Sequence, residues 1–273
     1  MRAGAVPTTM GHRHKGKSVS DPHFSIDLSG QTALVTGTTS GLGRRFAKVL
    51  AACGARVAIA GRRVERLEEL AAEIRADGGE AMPVPLDVTD FDALFAAVDH
   101  IEEALGPIQI LVNNAGIPDA KMALKMDVEF VDNMLATNFT SLFHLSCEVA
   151  RRLKDTDLEG RIVNISSMGA YRAGMGTSMY AITKSAVIRM TEMLSLEFAR
   201  YGVNVNCIAP GAFESEMMDG MLERMGDITQ GFPRKRLGTP SQMDSTLLFL
   251  VSPSSEFVTG TTVRVHDAQG LQA

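Results

Sequence analysis

The chain has 273 residues, 45% apolar and 22% charged, with 27 Lys plus Arg against 32 Asp plus Glu for a formal net charge of −5. That length and apolar content demand a large buried core, in one α/β domain or two small ones, and exclude disorder as the main state. The net acidity argues against a dedicated nucleic-acid binder, and no apolar run reaches the about 18 residues of a membrane span.

Residues 1–24 carry Arg2, Arg13, Lys15 and Lys17 against Asp21, with few apolar residues, and read as a flexible tail ahead of one domain over 25–273. This stretch lacks the apolar core of a secretory signal. His12, His14 and His23 have no accompanying carboxylate or cysteine cluster, so a solvated tail is preferred to a metal site. Cys53, Cys147 and Cys207 are odd in number, far apart and without a CxxC pair. They read as small apolar residues in a reduced cytoplasm, with no disulfide framework and no zinc.

From Ile26 onward short apolar runs alternate with longer amphipathic ones. Strands are predicted at 33–36, 56–60, 81–86, 108–112, 161–166, 203–209 and 262–266. Between the first two, Leu42, Phe46, Val49, Leu50 and Cys53 recur on one helical face. A second helix over 64–76 has a charged, solvent-exposed side. Repeated strand–helix–strand order implies a doubly wound parallel sheet with helices on both faces, a three-layer α/β/α single domain.

The first strand runs into Gly37-Thr38-Thr39-Ser40-Gly41-Leu42-Gly43, and a helix follows. Glycines supply the tight turn, and a helix N-terminus offers N–H groups to a pyrophosphate. An ordinary glycine-rich turn is the alternative; a Walker A loop is excluded, because no Gly-Lys-Ser/Thr follows. The second strand ends Ala60-Gly61-Arg62-Arg63. Gly61 stands where a carboxylate would bind ribose hydroxyls and repel a 2′-phosphate, and the Arg62 guanidinium suits that phosphate. NADP is therefore expected in preference to NAD, with NAD still open. The alternative is that Arg62 and Arg63 merely cap the sheet edge.

Tyr180 and Lys184 lie one helical turn apart, and a nearby ammonium lowers a phenol's pKa toward useful acid–base chemistry, although this spacing alone is common and usually means surface packing. Ser167 ends the strand of 161–166, and Asn113-Asn114-Ala115-Gly116 ends that of 108–112. Ligands bind at these carboxyl ends of open α/β sheets.

On these motifs, with Asn138 and Pro210-Gly211, the chain resembles the classical short-chain dehydrogenase/reductase family over 26–270. The resemblance implies a Rossmann-like fold with a seven-stranded parallel sheet. It implies Tyr180 as proton donor or acceptor, Ser167 holding the substrate oxygen, and Lys184 lowering the Tyr180 pKa and binding the nicotinamide ribose. Asn138 would hold a water that relays protons to Lys184. The dinucleotide would contact Gly37, Thr39, Ser40, Gly41, Leu42, Gly43, Arg62, Asp87, Val88, Asn113, Ala115, Gly116, Pro210, Gly211, Phe213 and Ser215. Family members often carry Thr at the place of Ser215, and NADP-preferring ones a basic residue at the place of Ser40.

A lid is expected over 212–237, where Met217, Met218, Met221 and Met225 suggest an apolar carbonyl or alcohol substrate. Core or interface packing explains those methionines equally well. The resemblance also implies a homodimer or homotetramer. The rival readings are a non-catalytic nucleotide sensor or scaffold, which would tend to lose Tyr180 or Lys184, and an extended-type epimerase, which would carry a longer C-terminal region.

Overall fold

The computed structural model describes residues 24–269; the tail histidines, the last four residues and the side chains of Arg224 and Met225 lie outside the described residues. Seven strands form one sheet: β1 (Thr32–Thr36), β2 (Arg56–Gly61), β3 (Glu80–Pro85), β4 (Ile108–Asn113), β5 (Gly160–Ile165), β6 (Val203–Pro210) and β7 (Thr262–Val265). All pairings are parallel, in the order β3-β2-β1-β4-β5-β6-β7. β1, β5 and β6 are buried along their whole length, as strands covered on both faces must be.

Helices supply the covering layers. On one face α1 (Gly41–Ala52), α2 (Val64–Ala76) and α8 (Asp244–Val251) pack Phe46, Leu50, Leu67, Leu70 and Leu247 onto Val35, Val57, Ile59 and Ile110. On the other, α3 (Phe91–Leu105), α5 (Ser141–Leu153) and α6 (Ser178–Phe198) pack Leu94, Val98, Leu145 and Val187 onto Leu34, Ala58, Leu111 and Ile162. Two shorter helices, α4 (Val128–Leu135) and α7 (Glu216–Met225), stand near the carboxyl edge of the sheet. No described helix is long and apolar enough to cross a membrane.

Predicted strands and observed ones differ by a residue or so at their ends, and β3 and β5 each begin and end one residue early. One departure matters more. α4 does not run smoothly into α5: Ala136–Thr140 form a π-helical turn carrying Asn138. Such a turn holds an extra residue and re-aims the side chain on it.

Phe46 is wholly buried at the centre of its layer. Phe46→Ala should lower the unfolding free energy by about 3–5 kcal/mol in urea titration, through lost burial and the cavity left behind.

Candidate active site

The strand order reverses between β1 and β4, and there the chain builds a clasp. The Thr36 hydroxyl accepts the backbone N–H of Asn114 at 3.1 Å and of Ala115 at 3.0 Å. In return the Asn114 side-chain amide donates to the carbonyls of Thr36 at 3.0 Å and Gly37 at 3.1 Å. The two strand ends are thus held together by side chains where their ladder stops.

The glycine loop is pressed onto this clasp. Gly37 has φ +69°, and a Cβ there would lie 2.9 Å from Ala115 Cα. A Cβ on Gly43 would overlap the Gly37 carbonyl and the Asn114 amide. Thr38 is buried and ties the loop to β2, its N–H and hydroxyl both donating to the Ala60 carbonyl. At the N-terminus of α1, Ser40 makes no side-chain cap and no acidic residue occupies the first turn. The N–H groups and partial positive charge there are left for an anion from outside the chain.

A cleft of about 530 Å³ opens over these strand ends. Gly37, Thr39, Ser40, Gly41, Leu42, Gly43, Arg62, Asp87, Val88, Ala115, Gly116, Ser167, Tyr180, Lys184, Pro210, Gly211, Phe213 and Ser215 all line it. Of the residues expected from sequence, only Asn113 and Asn138 do not.

Near the end of β2, a Cβ on Gly61 would lie 2.8 Å from the Thr39 methyl, so no larger residue fits without a shift. The Arg62 side chain is 71% exposed and reaches to 3.8 Å from Asp87. Asp87 is held below the usual carboxylate range, chiefly by the Thr89 backbone N–H at 3.0 Å, with burial opposing. Arg63 is not a loose edge cap. Its guanidinium donates to the Thr39 hydroxyl at 2.8 and 3.1 Å and to Glu216 at 2.9 Å, joining the glycine loop to α7.

Across the cleft, Ser167 caps a short 3-10 turn, its hydroxyl accepting the Gly169 N–H at 3.0 Å. Lys184 is buried, donates from Nζ to the Ile165 carbonyl at 2.9 Å, and lies 5.9 Å from the Tyr180 ring centroid. Ser166 donates to the Lys184 carbonyl at 2.7 Å and fixes α6 to β5. The expected lowering of Tyr180 by Lys184 is not what this arrangement produces. Burial pushes the Tyr180 phenol above its ordinary value, against a pull downward from Ser167. Burial also pushes Lys184 down to about 8, weakening the ammonium that was expected to act.

Asn138 accepts the Ile117 N–H at 2.8 Å and donates to the Ile117 carbonyl at 2.9 Å. It stands behind the cleft wall: a Cβ on Gly116 would lie 3.2 Å from its Oδ1 and 3.3 Å from Lys184 Nζ. Asn113 faces the other way, into the sheet, donating to Ser146 at 2.9 Å and Asn164 at 2.8 Å. The reason is strand alternation, since neighbouring side chains point to opposite faces and it is Asn114 that reaches the loop. Asn114 and Thr36 were given no role of their own by sequence; their adjacency exists only once β1 and β4 pair. Ser215 caps α7 through the Met218 N–H at 3.1 Å while also lining the cleft. Among the described residues no group of three His, Cys, Asp or Glu side chains is gathered to hold a metal ion.

Comparison with known proteins follows the same outline. Residues 31–225 match the family model for short chain dehydrogenase. Gluconate 5-dehydrogenase of Gluconobacter oxydans is 36% identical over 88% of this chain and 94% of its own. The 3-oxoacyl-[acyl-carrier-protein] reductase of Vibrio cholerae is 34% identical over 88% and 98%. The crystal structure of a short chain dehydrogenase from Burkholderia cenocepacia in complex with NADP superposes with a TM-score of 0.82 at 33% identity, covering 89% of this chain and 99% of the other.

Two outcomes are expected. Asn113→Ala orphans its partners and should cost about 1–3 kcal/mol in urea unfolding. Burial lowers Lys184 from 10.5 to about 8 on folding, so between those values the unfolded chain holds the extra proton and the Lys184 contribution to stability makes a rise with pH. Lys184→Met should remove that rise in melts taken from pH 8 to 10.5.

Proposed function

The chain belongs to the short-chain dehydrogenase family of oxidoreductases acting on alcohol and carbonyl groups, and we propose that it works with NADP in preference to NAD, with Tyr180 as the acid–base group. The observation that carries this reading is the convergence of Tyr180, Ser167 and Lys184 with the glycine loop in one cleft.

The residues fit a dinucleotide. The uncapped α1 N-terminus and the side-chain-free surface of Gly37 and Gly43 suit a pyrophosphate. The absence of a carboxylate at Gly61 and the exposed Arg62 favour a 2′-phosphate, and the related Burkholderia structure contains NADP. Val88, Ala115 and Gly116 would flank the adenosine half. Pro210, Gly211, Phe213 and Ser215 would flank the nicotinamide half, with Lys184 on its ribose.

When bound, the dinucleotide supplies or takes up the hydride. The rest falls to the chain. Tyr180, a neutral phenol near neutral pH, is in the acid form that reduction requires, and it donates its phenolic proton to the developing alkoxide. In oxidation it takes that proton back. Ser167 donates to the same oxygen where negative charge appears, which stabilises the transition state. Asn138, across Gly116 from Lys184, would hold the proton-relaying water.

Met217 and Met218 line the cleft, and the loop leaving it at Ile117 meets the segment at Gly176 through the Lys121 N–H. Met122, Leu124 and Met175 stand exposed along these loops. This apolar margin supports an apolar carbonyl substrate over a small polar sugar. Exposed Ile182, Met193 and Leu196 on α6 and Phe143 on α5 support helix pairing into a homodimer or homotetramer. The three unpaired cysteines accord with a cytoplasmic setting.

Absorbance at 340 nm across a ketone and alcohol panel, run separately with NADPH/NADP and NADH/NAD, tests the reading. Tyr180→Phe should cut kcat by about 10²–10⁴-fold while leaving cofactor Kd within twofold. Full turnover in that variant removes the proton role, and no turnover of any substrate by the parent favours the sensor or scaffold reading.

A further inference from the structure

The chain beyond β7 closes on the nicotinamide side of the cleft in an unusual way. Asp267 has φ +48° and Ala268 φ +64°, two consecutive non-glycine residues in the left-handed region. L residues adopt that conformation rarely, and surrounding contacts must hold them in it. Here the contacts are visible. Asp267 pairs with Arg234 at 3.2 Å and Arg236 at 2.8 Å, and the Gln269 N–H donates to the His266 carbonyl at 2.7 Å.

The turn delivers one side chain inward. Gln269 is buried, and its Oε1 accepts the Ala212 N–H at 2.7 Å. Its Nε2 donates to the Ala212 and Arg236 carbonyls at 3.4 Å, and its own carbonyl accepts from Arg172. A carboxamide offers a donor and an acceptor together, so it pairs with the N–H and C=O of one residue as a neighbouring strand would. A Cβ on Gly211 would overlap Gln269 Oε1 and lie 2.9 Å from His266 Cα. Gly211 thus lies pressed between the Gln269 carboxamide and the His266 backbone, and both leave it no room for a side chain. One turn thus ties together the loop after β6, the segment after α7, and Arg172, which follows the short turn capped by Ser167.

We propose that Gln269 is a positioning residue for the nicotinamide half of the site: its carboxamide sets the 211–213 loop, and with it Gly211 and Phe213, against the cleft. Gln269 does not itself line the cleft, so it acts through that loop. The proposal rests on the dinucleotide reading above.

The test separates the two halves of the cofactor. Fluorescence titration with NADPH, and competition by 2′-phospho-ADP-ribose, which lacks nicotinamide, are measured on the parent and on Gln269→Ala. The NADPH Kd should rise about fivefold to tenfold, as loss of one buried hydrogen-bonded link implies, while the Kd for 2′-phospho-ADP-ribose stays within twofold. Gln269→Asn keeps the polarity but is one methylene too short, and it should show the same split if Gln269→Ala does not fold. Equal weakening of both ligands, or no change in either, overturns the proposal. A parent that binds neither ligand overturns the dinucleotide reading itself.

Discussion

Where β1 and β4 diverge, two parallel strands lose their shared ladder, and their last peptide groups need other partners. Thr36 and Asn114 meet that need for each other, by hydrogen bonds of 3.0–3.1 Å in both directions. This closure lets Gly37 and Gly43 approach so closely that a Cβ fits on neither. The glycine loop then becomes the floor of the cleft. The uncapped start of α1, the Arg63 bridge to Glu216 and the wall formed by Ala115 and Gly116 all take their places from it.

Burial governs the chemistry on the opposite wall. The same packing that holds Lys184 against the Ile165 carbonyl drives its amine toward neutrality and the Tyr180 phenol toward retention of its proton. Both groups are moved toward their uncharged forms, as desolvation requires. A neutral phenol beside the Ser167 hydroxyl is suited to donate, and a lysine near 8 changes charge readily close to neutral pH.

Much of this was legible in the sequence because parallel strands buried on both faces must be continuous apolar runs, and glycines at a strand–helix junction permit a tight turn and close backbone approach. Tyr180 and Lys184 were legible only jointly with Ser167 and the glycine loop, since their spacing alone more often marks a packed surface. What escaped was tertiary. Asn113 and Asn114 are adjacent letters, and only the pleat decides which one faces the loop. The π turn at Asn138 is one extra residue in an otherwise helical pattern, a change that periodicity does not resolve. The direction of the Tyr180 shift depends on how deeply two side chains sink, which spacing does not contain. Gln269 meets Ala212 across 57 residues of chain, and nothing local in either segment announces the pairing.

A crystal structure with NADP bound tests the central claim most directly. The Tyr180 hydroxyl should face the nicotinamide ring, with space for one substrate oxygen within hydrogen-bond reach of both Tyr180 and Ser167. A Tyr180 hydroxyl turned away from the ring, or a ring packed so close that no oxygen fits between, is incompatible with proton transfer at this site.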